Sequence, residues 1–247
     1  MKFKFYIEYN GTNYSGWQMQ KNSKSIQGVL IDAIRKALSE TKGKAKYIDF
    51  QGSGRTDKGV HAYEQVAHLE CETMLGPEIL KLKVNDLLPS DINVLEVEKA
   101  KDNFHARHSA KERQYVYRIS TRRTAFEKKF VWWIKDNLDV KKMEDAAKIF
   151  VGMHDFQSFS ERDKDKVSTR VSVEGIEVLQ VGYIIEVRIW ASHFLWKMVR
   201  RIVGSLVEVG RGNLSKEDLK SALEQYTEDF SKYTAPPSGL FLERVEY

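Results

Sequence analysis

The stretch Gln51-Gly52-Ser53-Gly54-Arg55-Thr56-Asp57-Lys58-Gly59-Val60-His61-Ala62 places one carboxylate and two cations among three glycines. Loops on rigid sheets commonly carry reactive groups, and glycine opens backbone conformations closed to other residues. An aspartate so placed can act as a nucleophile. It can equally form a turn by accepting hydrogen bonds from nearby backbone N–H groups. Spacing alone leaves both roles for Asp57 open. A phosphate-binding loop is excluded, because the Gly-Lys-Ser/Thr ending is missing.

Charge is the second chemical signal. The chain carries a net +5, yet residues 107–129 alone carry +6. Their cations are Arg107, Lys111, Arg113, Arg118, Arg122, Arg123, Lys128 and Lys129, against Glu112 and Glu127. Such a concentration is the footprint of a phosphate-backbone partner, although a solvated face has the same composition. His61, His68, His105, His108, His154 and His193 show no metal-ligand spacing, and the one cysteine, Cys71, cannot build a thiolate zinc site. No metal site is expected. His154-Asp155 has the composition of a catalytic dyad, but adjacent residues rarely face each other, and a structural turn is expected there.

The elements that must position these residues follow from periodicity. Phe3, Phe5, Ile7 and Tyr9 alternate with polar neighbours as in a half-buried strand. Ser25 caps a helix whose apolar positions are Ile26, Val29, Leu30, Ala33, Ile34, Ala37 and Leu38. Strands at 47–51 and 64–70, a short helix from Pro77 and a strand at 92–98 complete a βαββαβ order. The second half repeats it approximately. Strands are expected at 114–120, 130–134, 170–179 and 183–190. A helix capped by Asp139 should run through Val151, another should span 193–207, a third should start at a Ser215/Asp218 capping box, and Leu240–Glu246 should close as a strand. In the helix expected at 193–207, Lys197, Arg201 and Glu208 fall opposite the apolar ridges, and Arg200 falls at the border. A border arginine either lines a cleft or reaches for water. Tyr115 and Tyr117 share a strand face with Ile119; core packing is the simpler reading, above all for Tyr117. The fold class is α+β: two fused ferredoxin-like (RRM-like) halves, 1–105 and 106–247, with antiparallel or mixed sheets and an active-site cleft between them.

The run Gly54-Arg55-Thr56-Asp57-Lys58-Gly59-Val60-His61-Ala62 resembles the catalytic loop of the tRNA pseudouridine synthase A family. Four further blocks agree in family order: Tyr9-Asn10-Gly11-Thr12-Asn13-Tyr14-Ser15-Gly16-Trp17-Gln18; Phe104-His105-Ala106-Arg107 followed by Arg113-Gln114-Tyr115-Val116-Tyr117; Phe194-Leu195-Trp196-Lys197-Met198-Val199-Arg200 with Ile202-Val203-Gly204; and Ala235-Pro236-Pro237-Ser238-Gly239-Leu240-Phe241-Leu242. Asn10 stands where the family usually has aspartate, Lys58 at a variable position, and Glu64 where a glycine is usual before Gln65-Val66.

The resemblance implies roles. Asp57 matches the catalytic aspartate, and Arg55 the arginine that enters the space left by a flipped uridine. Tyr115 matches the tyrosine that stacks on the flipped uracil, Arg200 the basic residue paired with the aspartate, and Leu242 an apolar residue lining the pocket. Lys58 is open to a phosphate contact, and Arg107, Lys111, Arg113, Arg118, Arg122 and Arg123 are candidates to bind the RNA backbone. The implied substrate is the tRNA anticodon stem-loop, at positions 38 to 40, bound by a homodimer. Isomerising uridine needs no redox change and no group donor, and no cofactor is expected. With 42% hydrophobic residues, no apolar run of membrane-spanning length and no apolar N-terminal block, the chain is expected to be soluble and cytoplasmic. Two other readings compete: a non-catalytic RNA-binding module, and a hydrolytic glycosylase, which normally needs a second carboxylate.

Overall fold

The alternation at the N-terminus is realised as β1 (Lys2–Tyr9), in which Phe3, Phe5, Ile7 and Tyr9 are buried and the residues between them are partly open. The computed structural model describes residues 1–162 and 168–247, which divide into two compact units: Met1–Lys111 with Leu242–Tyr247, and Glu112–Phe241. The division by contacts thus falls a few residues beyond 105 and returns the C-terminal segment to the first unit.

In the first unit, β1 is followed by α1 (Ile26–Ser39), β2 (Lys46–Gly52), β3 (His61–Glu72), α2 (Pro77–Asn85) and β4 (Ile92–Ala100). The strands lie in the order β4-β1-β3-β2, all antiparallel, with Phe5 opposite both Ala67 and Val97. The Ser25 hydroxyl accepts from Gly28 N and caps α1, whose Ile26, Leu30, Ala33, Ile34, Ala37 and Leu38 are buried. Each of the buried isoleucines and leucines contributes about 1.5–3 kcal/mol. Strand β3 starts earlier than the apolar pattern suggests and is buried on both faces, His68 as well as Leu69. The second face is covered by the segment 104–106: Ala106 N donates to His68 Nδ1, and the His105 ring lies 4.6 Å from that of His68.

The second unit contains β5 (Glu112–Ser120), the two-residue β6 (Trp132–Trp133), α3 (Val140–Ala147), β7 (Gly152–Asp155), β8 (Arg170–Val181), β9 (Ile184–Ala191), α4 (Met198–Arg211) and α5 (Lys216–Glu224). The order is β5-β9-β8-β7 with antiparallel pairing, and β6 runs parallel to the end of β5. The last strand, β10 (Leu240–Glu246), begins in this unit and ends in the first. Asp139 caps α3 and the Ser215/Asp218 capping box starts α5, as their spacing predicts. Helix α3 stops at Ala147 and tightens into a 3-10 turn, Lys148–Phe150, short of the expected end at Val151.

The helix expected at 193–207 is displaced. It begins at Met198 and continues to Arg211, because Lys197 takes φ +60°, a left-handed conformation that interrupts a right-handed helix. The preceding residues are held by other partners: Trp196 O accepts from Glu161 N, and Lys197 Nζ bonds Glu161 Oε2 at 3.0 Å. Arg201, assigned by periodicity to the solvent side, is only 7% exposed. It donates to Ser160 O and forms an ion pair with Glu161 at 2.8 Å. Helix α4 is buried almost all round, so its sequence period cannot indicate which side faces water.

Candidate active site

The connection between β2 and β3 carries Asp57, and several backbone groups on either side of it have fixed partners. Ser53 N donates to Val66 O at 2.7 Å, and the Ser53 hydroxyl bonds Gln65 Oε1, whose amide in turn holds Gly54 O. Val60 N donates to Asp57 O at 3.1 Å, closing a turn over Lys58-Gly59, with Gly59 at φ +79° as such a turn requires. Asp57 is half-buried on this turn, while Arg55 and Lys58 beside it are exposed.

A second segment braces the loop from below. The Tyr9 hydroxyl shares a hydrogen bond with Thr56 Oγ1 at 2.8 Å, Trp17 N donates to Thr56 O at 3.0 Å, and Gly11 N donates to His61 Nδ1. Gly16, at φ +101°, lies so close that a β-carbon there would stand 2.5 Å from Thr56 O and 3.1 Å from the Asp57 carbonyl carbon. The block at residues 9–18 therefore acts on the loop mechanically. Burial pushes the Tyr9 hydroxyl up to about 12, against the opposing bonds to Thr56 and Gln65, so it stays a neutral member of the network. Gln27, inside α1, extends the brace by donating to Phe50 O and accepting from Gln18 and Met19 N.

The second unit presents its own constellation. Tyr115 on β5 is half-buried, with the Phe194 ring edge-on at 5.0 Å. Tyr117, two residues along, is fully buried and donates to Pro236 O at 2.7 Å. Arg200 Nε donates to Ala235 O at 2.7 Å, and Ala235 N donates back to Arg200 O at 3.0 Å. That reciprocal pair joins the start of α4 to the Ala235–Leu242 block.

A family model described as tRNA pseudouridine synthase matches residues 6–109 and 146–247. The chain belongs to this family. Curated relatives named tRNA pseudouridine synthase A align over its whole length: that of Rhodopseudomonas palustris is 40% identical over 249 residues (100% of this chain, 99% of the relative). Those of Ehrlichia chaffeensis and Thermodesulfovibrio yellowstonii are 38% and 36% identical, with all of both chains covered. Among solved structures, a Cbf5-Nop10-Gar1 complex aligns with 83% of this chain and 54% of that one at 13% identity and a TM-score of 0.31, too distant to bear on the argument. The chain is an enzyme of tRNA pseudouridylation, built on an α+β fold.

The other singled-out residues fall as follows. Leu242 is buried on β10 in the first unit. Arg107, Lys111, Arg122 and Arg123 are exposed. Arg118 is engaged with Glu127 and Glu186, and Arg113 with Ser192 O, so these two serve packing as well as charge. His68, distant in sequence, meets the neighbouring pair His105 and His108 with tilted rings, but Nδ1 of both His68 and His105 accepts backbone N–H groups. Among the described residues no group of three or more His, Cys, Asp or Glu could hold a metal ion, and no helix is long and apolar enough to cross a membrane. His154 and Asp155 end strand β7 rather than forming the expected turn, and they bond different partners, Val151 O and Thr169 with Gln157 N. Asn10 accepts from Thr12 and caps a short 3-10 turn, a role aspartate would serve equally. Residue spacing gives no sign of Tyr9, Thr56, Gln65, Gln27 or Glu161. For Tyr9, Gln65 and Gln27 the one signal is a polar atom at a buried position of a strand or helix, whereas Thr56 and Glu161 lie in loops and carry none.

Proposed function

We propose that the enzyme isomerises uridine in the tRNA anticodon stem-loop, at positions 38 to 40, with Asp57 as nucleophile. The observation that carries this reading is a half-open carboxylate on a turn whose backbone is clamped from two sides. Positioning of that kind converts an encounter into a near-attack geometry. The ionised carboxylate attacks C1′ or C6, the N1–C1′ bond breaks, and the uracil turns. A C5–C1′ bond then forms, the bond from the carboxylate to C1′ or C6 breaks to free Asp57, N1 gains a proton, and C5 loses its hydrogen to solvent.

A base inside a stem cannot reach the carboxylate, and extruding it costs a few kcal/mol. Stacking on Tyr115 offsets about 1–3 kcal/mol of that, and the half-buried ring supported by Phe194 suits the task. Exposed Arg55, two residues from Asp57, takes the place of the departed base, and Lys58 contacts phosphate. Arg200 supplies a cation whose guanidinium is oriented by Ala235 O, and Leu242 contributes apolar surface. A cytoplasmic homodimer bound to one tRNA completes the reading; sedimentation with and without tRNA tests the stoichiometry.

The direct test is tritium release from [5-³H]uridine-labelled tRNA. Asp57→Asn should fall to background while tRNA binding persists. Turnover near wild type would remove Asp57 from the chemistry, and free uracil among the products would favour hydrolysis.

A further inference from the structure

Residues 121–130, between β5 and β6, hold a phenylalanine out in solvent: Phe126 is 95% exposed. The loop around it is pinned. Thr121 N donates to Tyr183 O at 2.9 Å, the Ser120 hydroxyl to Arg122 O, and Phe130 N to Glu127 O at 2.7 Å. The Arg122 guanidinium lies 3.9 Å over the Tyr183 ring, and the Tyr183 hydroxyl donates to Glu127 Oε2. Glu127 Oε1 is paired with Arg118 at 3.2 Å. The one acidic residue of the loop is thus used in holding it, while Arg122, Arg123, Lys128 and Lys129 are all exposed. An aromatic ring presented by a fixed loop among four cations matches the stacking-plus-phosphate pattern of nucleic-acid recognition.

We infer that this loop is a tRNA-binding platform, in which Phe126 stacks on an unpaired base while Arg123, Lys128 and Lys129 meet the flanking phosphates. The inference rests on the family's tRNA substrate and adds a contact outside the residues assigned to the reaction. A second copy of the chain is the competing occupant. A two-fold contact would bring the same four cations onto themselves, whereas RNA neutralises them.

Binding to a tRNA transcript should be titrated for Phe126→Ala, Phe126→Leu and Phe126→Trp across a salt series, with sedimentation of each protein. Loss of one stacked base weakens binding roughly 5- to 150-fold. Phe126→Ala should fall in that range with an unchanged salt slope, Phe126→Leu should behave similarly, and Phe126→Trp should bind as wild type. Replacing Arg123, Lys128 and Lys129 by alanine should flatten the plot of log K against log salt by about 2. Because Phe126 touches solvent, thermal unfolding of its variants should match wild type. Wild-type affinity in Phe126→Ala, equal affinity of Phe126→Leu and Phe126→Trp, or a change of oligomeric state in Phe126→Ala overturns the platform. Wild-type tritium release, measured in parallel, distinguishes that outcome from failure of the pseudouridylation reading.

Discussion

Gly16 carries no functional group and lies far from Asp57 in sequence, so Gly16→Ala isolates the mechanical coupling between the 9–18 segment and the Asp57 turn. At φ +101° an alanine is strained, by about 1–2 kcal/mol. The added carbon would lie 2.5 Å from Thr56 O, about 1 Å inside van der Waals contact, and 3.1 Å from the Asp57 carbonyl carbon. Both obstacles are backbone, and Trp17 N already ties Thr56 O in place, so relief requires moving the turn itself. A displacement of about 1 Å at a reacting group costs on the order of 100-fold in rate. The expected result is a single-turnover rate of tritium release reduced about 10- to 100-fold, with tRNA affinity within about twofold of wild type, since no RNA-binding group is removed. A folded Gly16→Ala variant reacting at the wild-type rate would refute the claim that this segment sets the position of Asp57.

Other outcomes follow from the same structure. Tyr115→Phe should retain tRNA binding better than Tyr115→Ala, because stacking needs the ring; equal losses in filter binding would contradict that role. Burial, with His105 next, pushes the His68 imidazole down to about 4. The unfolded chain therefore takes up that proton first, and native stability falls as pH drops from about 6.5 towards 4. His68→Asn, which keeps an acceptor for Ala106 N, should flatten the urea midpoint over that window, and an unchanged pH dependence would count against it. Arg201→Met should destabilise by about 1–2 kcal/mol in urea unfolding, since Ser160 O loses its donor while Glu161 keeps Lys197. A neutral result would mean that the arginine is as accessible to water as its helical period suggests.

Much of this enzyme is legible locally. The alternation in β1, the caps at Ser25 and Asp139 and the Ser215/Asp218 box are decided by residues within a few positions of one another, and each appears where its spacing places it. The family is legible as well, because its blocks are contiguous strings. Residues 193–197 misled, since apolar periodicity continues through them while Glu161 holds Trp196 O and Lys197 in a non-helical path.

By itself, then, the sequence determined most element types, the family and the composition of the loop around Asp57. All of these reside in short-range pattern. Only the tertiary structure decided what fixes that loop. The Tyr9–Thr56 bond spans 47 positions, and the bond by which Arg201 reaches Ser160 spans 41. Pairings over such separations follow no period of helix or strand. A tyrosine at the end of an alternating strand and a glycine in a turn look the same in sequence whether or not the Asp57 turn rests against them.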